Sequence, residues 1–108
     1  VNNADRKAGH CLRDRAGHIW GIDHGLTFHE EPKLRTVIWE YAGLAVPEAL
    51  LADLRRVFDE LGEGLGRRLR SWLEEDELAA ARSRCEGLAT AGVFPCPTSR
   101  YDLPWPLV

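Results

Sequence analysis

At 108 residues the chain fits one small domain or a piece of a larger one, and its formal net charge of -3 gives no general attraction to nucleic acid or to anionic membranes. No stretch approaches the ~20 apolar residues that a membrane-spanning helix needs, and no charged-then-apolar signal peptide is present. Three widely spaced cysteines, Cys11, Cys85 and Cys96, favour small apolar side chains in a reducing compartment over a disulfide or zinc framework. We therefore expect a cytoplasmic protein with no transmembrane segment and no nucleic-acid partner.

Residues 1–25 carry the most informative pattern, in which Asp5 and Asp23 bracket a short segment punctuated by Arg and Gly. The run Asp14-Arg15-Ala16-Gly17 is typical of a hairpin turn, with Gly supplying a positive φ, so residues 10–23 are predicted to form a two-stranded hairpin. Such a hairpin would carry both carboxylates to the same end. One could then accept a proton from a hydroxyl nucleophile while the other held a divalent cation against phosphate oxygens. The alternative is that both are turn-forming surface residues, which is the commoner situation for an isolated Asp.

Two motifs in this part resemble those of the phosphatidylinositol 3-/4-kinase superfamily. Asp5-Arg6-Lys7-Ala8-Gly9-His10 resembles the Asp-Arg-His-x-x-Asn catalytic loop, and Ile22-Asp23-His24-Gly25 resembles the metal-binding Asp-Phe-Gly turn. The separation of eighteen positions between the two Asp residues, and the hairpin between them, also match that family. A bacterial branch of kinase-like proteins is similar in the run that begins at Asn2, in the Ile-Asp-His-Gly turn and in the terminal Trp-Pro stretch. These motifs cover roughly the first quarter of the chain.

The resemblance implies a role for four side chains. Asp5 would be the general base or the residue that orients the acceptor hydroxyl. Lys7 stands at the family's His position, where a cation would neutralise charge on the transferring phosphoryl group. Asp23 would bind the metal ion of ATP, Mg²⁺ or Mn²⁺, and His10 stands where the family has Asn as a second metal ligand.

His10 is the main departure from the family, because imidazole suits Mn²⁺ or Zn²⁺ better than Mg²⁺. Three explanations stay open: the metal preference shifts, the site is weakened, or Asn2 or Asn3 takes over as the ligand. His24 replaces the Phe of the usual turn and is expected to stack or hydrogen-bond instead.

After the hairpin, residues 26–92 are predicted to form an activation-type loop followed by helices. A short helix is expected at 34–41, although its β-branched residues also suit a strand. Residues 47–61 and 74–91 have the apolar spacing of amphipathic helices, and each is followed by Gly. A third helix between them is marked by the apolar residues Leu65, Leu69, Trp72 and Leu73.

Residues 93–108 hold four of the six prolines and are predicted to be an extended C-terminal strap packed on the helices. A Pro-rich ligand for another domain is the alternative. The expected fold class is α+β, mostly α: residues 1–108 would be a partial kinase-like catalytic domain, a C-lobe with a β-hairpin and three to four helices.

The function predicted from the resemblance is that of an ATP-dependent phosphotransferase whose phosphate acceptor is unknown. The sequence has no counterpart of the nucleotide-holding lysine strand or the phosphate-covering loop, and it has no Met, even at position 1. We therefore expect a chain that lacks its true N-terminus, needs an N-lobe to bind ATP-metal, and is inactive alone. The alternatives are a degenerate kinase-like lobe that binds a nucleotide or a protein, and an unrelated helical domain whose motifs match by chance.

Overall fold

A two-stranded antiparallel hairpin precedes three α-helices in the computed structural model, which describes Asn2, Arg6 and residues 8–102. The α+β class and the hairpin predicted from the sequence are therefore confirmed. No helix within these described residues is long and apolar enough to cross a membrane. The elements are β1 (Cys11–Arg13), β2 (Ile19–Gly21), α1 (Glu48–Gly62), α2 (Gly64–Leu69) and α3 (Glu75–Ala91), with short 3-10 helices at Ala8–His10 and Arg100–Asp102.

The hairpin turn forms where the sequence predicts it. Strands β1 and β2 pair with Leu12 opposite Trp20, and Gly17 has a φ of 88°, which places it in the left-handed region. The Asp14 carboxylate accepts hydrogen bonds from the Trp20 indole N–H and the His18 backbone N–H, both at 3.0 Å. These donors, the indole first, lower the pKa of Asp14. The turn is thus stabilised by its own side chains as well as by the backbone hydrogen bonds between the two strands.

The hydrophobic core lies between the three helices, and its fully buried members are Leu61, Leu78, Ala81 and Cys85. Helix α1 presents the apolar stripe predicted from the sequence, and α3 packs along it. Helix α2 approaches the end of α1 so closely that a side chain at Gly66 would collide with the Leu61 carbonyl. Gly66, inside α2, therefore serves close packing. Phe28, from the loop after the hairpin, packs on the same core and ties that loop to the helices.

The ends of α3 follow local signals. The Glu74 backbone N–H donates to the Glu77 carboxylate at 2.8 Å, as in a capping box. Gly92 ends the helix with a φ of 68°, and its N–H donates to the Leu88 carbonyl at 3.0 Å. The predicted bounds of 74–91 for this helix, and of 47–61 for α1, are confirmed to within a residue.

The short helix expected at 34–41 is wrong. The backbone there is extended around Thr36, which forms an isolated parallel bridge with Arg6. The Arg6 N–H donates to the Arg35 carbonyl at 3.0 Å, and the Val37 N–H donates to the Arg6 carbonyl at 3.1 Å. Pairing with a segment 30 residues earlier satisfies backbone groups that a helix would otherwise satisfy internally, and β-branched residues suit the extended form.

The third predicted helix is shorter than expected. Helix α2 ends at Leu69, and Trp72, which was expected on its apolar face, is 79% exposed in the following turn. Residues 70–73 form turns in place of the expected last part of the helix, and the cap of α3 follows at Glu74.

The first part of the strap, up to Asp102, is extended and then forms a 3-10 turn. Val93 pairs with Ala45 in an antiparallel bridge, and the Phe94 N–H donates to the Leu44 carbonyl at 2.9 Å. The Thr36 N–H donates to the Asp102 carbonyl at 2.9 Å. The strap therefore joins the segment before α1 to the segment that pairs with Arg6.

Candidate active site at the open end of the hairpin

The open end of the hairpin brings the start of β1 next to the turn after β2. The Ile22 N–H donates to the His10 carbonyl at 2.9 Å, which continues the ladder one step beyond the paired strands. As a result the side chains of His10 and Asp23 meet: His10 Nε2 lies 3.4 Å from Asp23 Oδ2. The Asp23 side chain is 64% exposed and that of His10 is 24% exposed, so the pair opens to solvent on its carboxylate side.

Asp23 has an unusual backbone conformation for a residue with a side chain. Its φ is 63°, and it is the one non-glycine residue with positive φ in the described part of the chain. Asp and Asn tolerate this left-handed region better than most residues, but it still costs free energy and tends to occur at functional turns. The conformation turns the chain sharply after β2 and directs the carboxylate towards His10.

The pair can act in two ways chemically. A carboxylate oxygen and an imidazole nitrogen on neighbouring loops can both bind one divalent cation. Alternatively, a protonated His10 would form a simple ion pair with Asp23. Within the described residues no cluster of three His, Cys, Asp or Glu side chains suited to a metal is found. A complete metal site would therefore need a further ligand, such as a phosphate oxygen. The metal roles of His10 and Asp23 stay a prediction.

Arg6 lies behind this pair and is 6% exposed. Its guanidinium donates from one nitrogen to the carbonyls of His10, at 2.9 Å, and Ile22, at 2.7 Å. Its second terminal nitrogen lies 3.0 Å from His24 Nδ1. One side chain thus connects the loop before β1 to both sides of the open end.

His24 hydrogen-bonds rather than stacks, which is one of the two outcomes expected from the sequence. Its Nδ1 faces Arg6, and its Nε2 lies 2.9 Å from the Gly21 carbonyl. A guanidinium has only donors, so Nδ1 must accept and Nε2–H must donate. The imidazole therefore closes the turn around Asp23 in the place where the resembled family has Phe.

The Asn2 side chain is hydrogen-bonded to the loop after the hairpin. It therefore does not serve as the substitute metal ligand that the sequence left open. It is 4% exposed. Its amide nitrogen donates to the carbonyls of His29, at 3.0 Å, and Glu31, at 2.9 Å, and its oxygen accepts the Lys33 N–H at 3.0 Å. All of its side-chain bonds thus hold residues 29–33 in place.

Helix α3 reaches the same loop through Arg84. Its guanidinium donates to the carbonyls of His29, at 3.1 Å, and Thr27, at 3.2 Å. The Thr27 carbonyl also accepts the Asn2 backbone N–H at 3.1 Å. Burial lowers the pKa of Arg84. Asn2 and Arg84 therefore both donate to the Thr27 and His29 carbonyls, which fixes the predicted activation-type loop against the helices.

Replacing Asn2 with Ala is expected to release this loop. The change removes the amide that donates to the His29 and Glu31 carbonyls and accepts from the Lys33 N–H, while Arg84 still donates to the His29 carbonyl. Because these groups are only partly buried, we expect a loss of about 1–3 kcal/mol in the free energy of unfolding. Hydrogen exchange of the Lys33 amide and chemical denaturation measure the effect. Glu30→Ala, at an exposed position of the same loop, is the control. Equal stability and equal Lys33 exchange in the two variants would contradict the assignment.

Three other residues singled out from the sequence lie outside the described residues. They are Asp5, Lys7 and Asn3. Asp5 and Lys7 flank Arg6 in the sequence, and Arg6 does lie at the open end of the hairpin. The catalytic roles of Asp5 and Lys7 stay predictions.

Comparison with known proteins finds a relative that aligns with nearly the whole chain. The chain is 40% identical over 106 residues to Protein Rv2133c of Mycobacterium tuberculosis. The aligned part includes 98% of this chain but only 38% of the relative's length. No family model matches the chain, and no solved structure matches it. The relative's name states no activity, so the kinase-like resemblance is still a hypothesis after these comparisons.

Sequence reasoning missed the residues that hold the site together. Arg6 was given no role, although it lies between Asp5 and Lys7. Arg84 was not distinguished from the other charged residues on its helix. Arg6 has a local signal, because it sits inside the motif itself. Arg84 has none that we recognise, since its partners lie more than 50 positions away in the chain.

Proposed function

We propose that this chain is the C-terminal lobe of an ATP-dependent phosphotransferase that resembles phosphatidylinositol 3-/4-kinases and uses ATP with Mg²⁺ or Mn²⁺. The observation that carries the proposal is the contact between His10 and Asp23 at the open end of the hairpin, with Asp23 in a left-handed conformation. In the resembled family the corresponding two positions bind the metal ion that accompanies ATP. The proposal leaves the phosphate acceptor open among lipids, proteins and small molecules, since fold does not fix substrate.

In this proposal the two residues share one cation, and phosphate oxygens of ATP complete its coordination. Hard divalent cations take oxygen ligands, whereas an imidazole in the set favours Mn²⁺ over Mg²⁺. Asp5 would orient the acceptor hydroxyl, and Lys7 would neutralise charge on the transferring phosphoryl group. Catalysis would consist mainly of positioning and charge neutralisation, which a rigid arrangement of loops can supply.

The exposed apolar surface of the hairpin supports a second lobe. Leu12, Ile19 and Trp20 are 48%, 68% and 55% exposed, although each belongs to a strand. A two-stranded hairpin is at best marginally stable when it stands alone. In the proposed protein Leu12 and Trp20, which are opposite each other in the hairpin and so share one face, would pack against the N-lobe, with the nucleotide held between the lobes.

A degenerate kinase-like lobe is the second candidate, and one observation favours it. His10 Nε2 lies 3.4 Å from Asp23 Oδ2, which is within ion-pair distance. The two side chains can therefore satisfy each other as an ion pair when His10 is protonated. Such a lobe would bind a nucleotide or a protein without transferring phosphate.

Calorimetry on the full-length protein tests the proposal. ATP is titrated in the presence of Mn²⁺, of Mg²⁺ or of EDTA, and turnover of radiolabelled ATP is measured in parallel. We expect metal-dependent binding that is tighter with Mn²⁺, together with slow hydrolysis or autophosphorylation when no acceptor is supplied.

Binding that does not depend on metal, or no binding at all, would contradict the phosphotransferase. Metal-dependent binding without turnover, across a panel that includes a phosphoinositide, a protein mixture and small alcohols as acceptors, would instead favour the degenerate lobe. Heat-denatured protein is the control for contaminating ATPase activity.

A further inference from the structure

We propose that Arg6 and His24 are positioning residues, which set the separation between His10 and Asp23 without touching the nucleotide. The inference rests on the proposed function and deepens it, because the resemblance assigns neither residue a role. Arg6 is fixed at both ends. Its backbone is paired with residues 35–37, and the Thr36 hydroxyl donates to its carbonyl at 2.8 Å, while its guanidinium reaches the hairpin.

The guanidinium contacts the two peptide groups that determine the distance between the His10 and Asp23 side chains. The His10 carbonyl belongs to one member of the pair, and the Ile22 carbonyl belongs to the peptide that leads directly into Asp23. Holding both carbonyls on one nitrogen fixes the peptide before Asp23, and so the direction in which its left-handed turn projects the carboxylate. A guanidinium also has a second terminal nitrogen, which meets His24 Nδ1 at the same time, whereas an ammonium on a flexible stem has one nitrogen and lacks this fork.

His24 orients the guanidinium from the other side of the turn. Its Nδ1 accepts from Arg6 and its Nε2–H donates to the Gly21 carbonyl, so the ring spans from the end of β2 back to the arginine. A side chain at Gly21 would come within 3.3 Å of this imidazole, so glycine leaves room for it. The turn is therefore closed by a chain of contacts from Gly21 through His24 to Arg6.

These contacts favour positioning over substrate binding. The terminal nitrogens of Arg6 are directed at two carbonyls and an imidazole, and the residue is 6% exposed. A guanidinium that clamps phosphate needs donors facing the ligand. Arg6 would therefore act through His10 and Asp23.

Two His24 variants separate the contact with Arg6 from the contact with Gly21. In His24→Asn the amide oxygen takes the place of Nδ1 and can accept from Arg6, but the bond to Gly21 is lost. In His24→Gln the amide nitrogen takes the place of Nε2 and can donate to Gly21, but Arg6 loses its acceptor. Arg6→Lys is the third variant, and it keeps the charge while removing the fork.

The full-length variants are titrated with Mn²⁺-ATP, and the Mn²⁺ electron paramagnetic resonance spectrum and the thermal unfolding midpoint are recorded alongside. We expect His24→Gln to bind Mn²⁺-ATP at least about 10-fold more weakly than His24→Asn, on the scale seen when a residue supporting a metal ligand is lost. The Mn²⁺ spectrum of His24→Gln and of Arg6→Lys should differ from that of the wild type. The two His24 variants should have equal unfolding midpoints.

The outcomes distinguish this inference from the proposed function. If the wild type shows no metal-dependent nucleotide binding, the proposed function fails and the positioning role fails with it. If the wild type binds normally and the two His24 variants have equal affinities, the positioning role alone is overturned. Affinity losses that follow the unfolding midpoint across all variants would also overturn it, since they would indicate a purely structural effect.

Discussion

Replacing Asp5 with Asn in the full-length protein is expected to lower the rate of phosphotransfer by about 10²–10⁴-fold while leaving ATP binding nearly intact. Asn is close to Asp in shape and keeps an oxygen that can accept a hydrogen bond, so the acceptor hydroxyl can still be placed. It cannot take up a proton, and it no longer carries a negative charge. Turnover of radiolabelled ATP and calorimetric ATP affinity, measured on the same preparation, separate the two effects.

The control for this experiment is Asp53→Asn, a surface change on α1 far along the chain from the motifs. The 108-residue chain by itself is expected to be inactive, with or without the substitution. Robust turnover by Asp5→Asn would remove the catalytic assignment, and it would leave the degenerate lobe as the better account of the motif.

Replacing Asp23 with Asn is expected to weaken both metal-nucleotide binding and turnover. We expect at least about a 10-fold loss of Mn²⁺-ATP affinity, the lower end of what loss of even an outer-shell partner costs at a metal site. The reason is electrostatic: the carboxylate compensates the charge of the cation, and the amide does not. Affinity for ATP in EDTA should not change. In Asp5→Asn, by contrast, ATP binding should survive. Loss of metal-nucleotide affinity in Asp23→Asn alone would therefore identify Asp23 as a metal ligand and Asp5 as a base.

Asn is the informative substitution at this position because the backbone has a φ of 63°. Asn is tolerated in the left-handed region about as well as Asp, whereas Ala would add backbone strain to the loss of charge. Asp53→Asn is again the matched control, since its side chain is 61% exposed and that of Asp23 is 64% exposed. Unchanged Mn²⁺-ATP affinity in Asp23→Asn would refute the ligand assignment.

The hairpin and the two long helices could be predicted because their signals are local. The turn depends on Asp14 and Gly17, whose hydrogen bonds and backbone angle are set within a few residues. Helix α1 follows an apolar period, and α3 is bounded by a capping box and by Gly92. Such features are encoded in consecutive residues, so a single sequence is sufficient to find them.

The candidate site was predicted in part. Hairpin geometry placed Asp23 at the open end, and the resemblance implied that His10 lies beside it as a second metal ligand; the structure gives a distance of 3.4 Å between their side chains. The expected helix at 34–41 failed because Thr36 pairs with Arg6. The choice between helix and strand for that run depended on a partner distant in sequence, which no local preference can reveal.

By itself, therefore, the sequence determined the elements whose stabilising contacts lie within one turn or one helix, and it placed Asp23 at the open end of the hairpin. Only the tertiary structure decided that the arginine between Asp5 and Lys7 is buried, and that Asn2 and Arg84 hold the loop after the hairpin. The physical reason is that a buried polar side chain must find hydrogen-bond partners wherever the folded chain brings them. Here most of those partners are backbone groups, which every residue has and which leave no trace in the sequence.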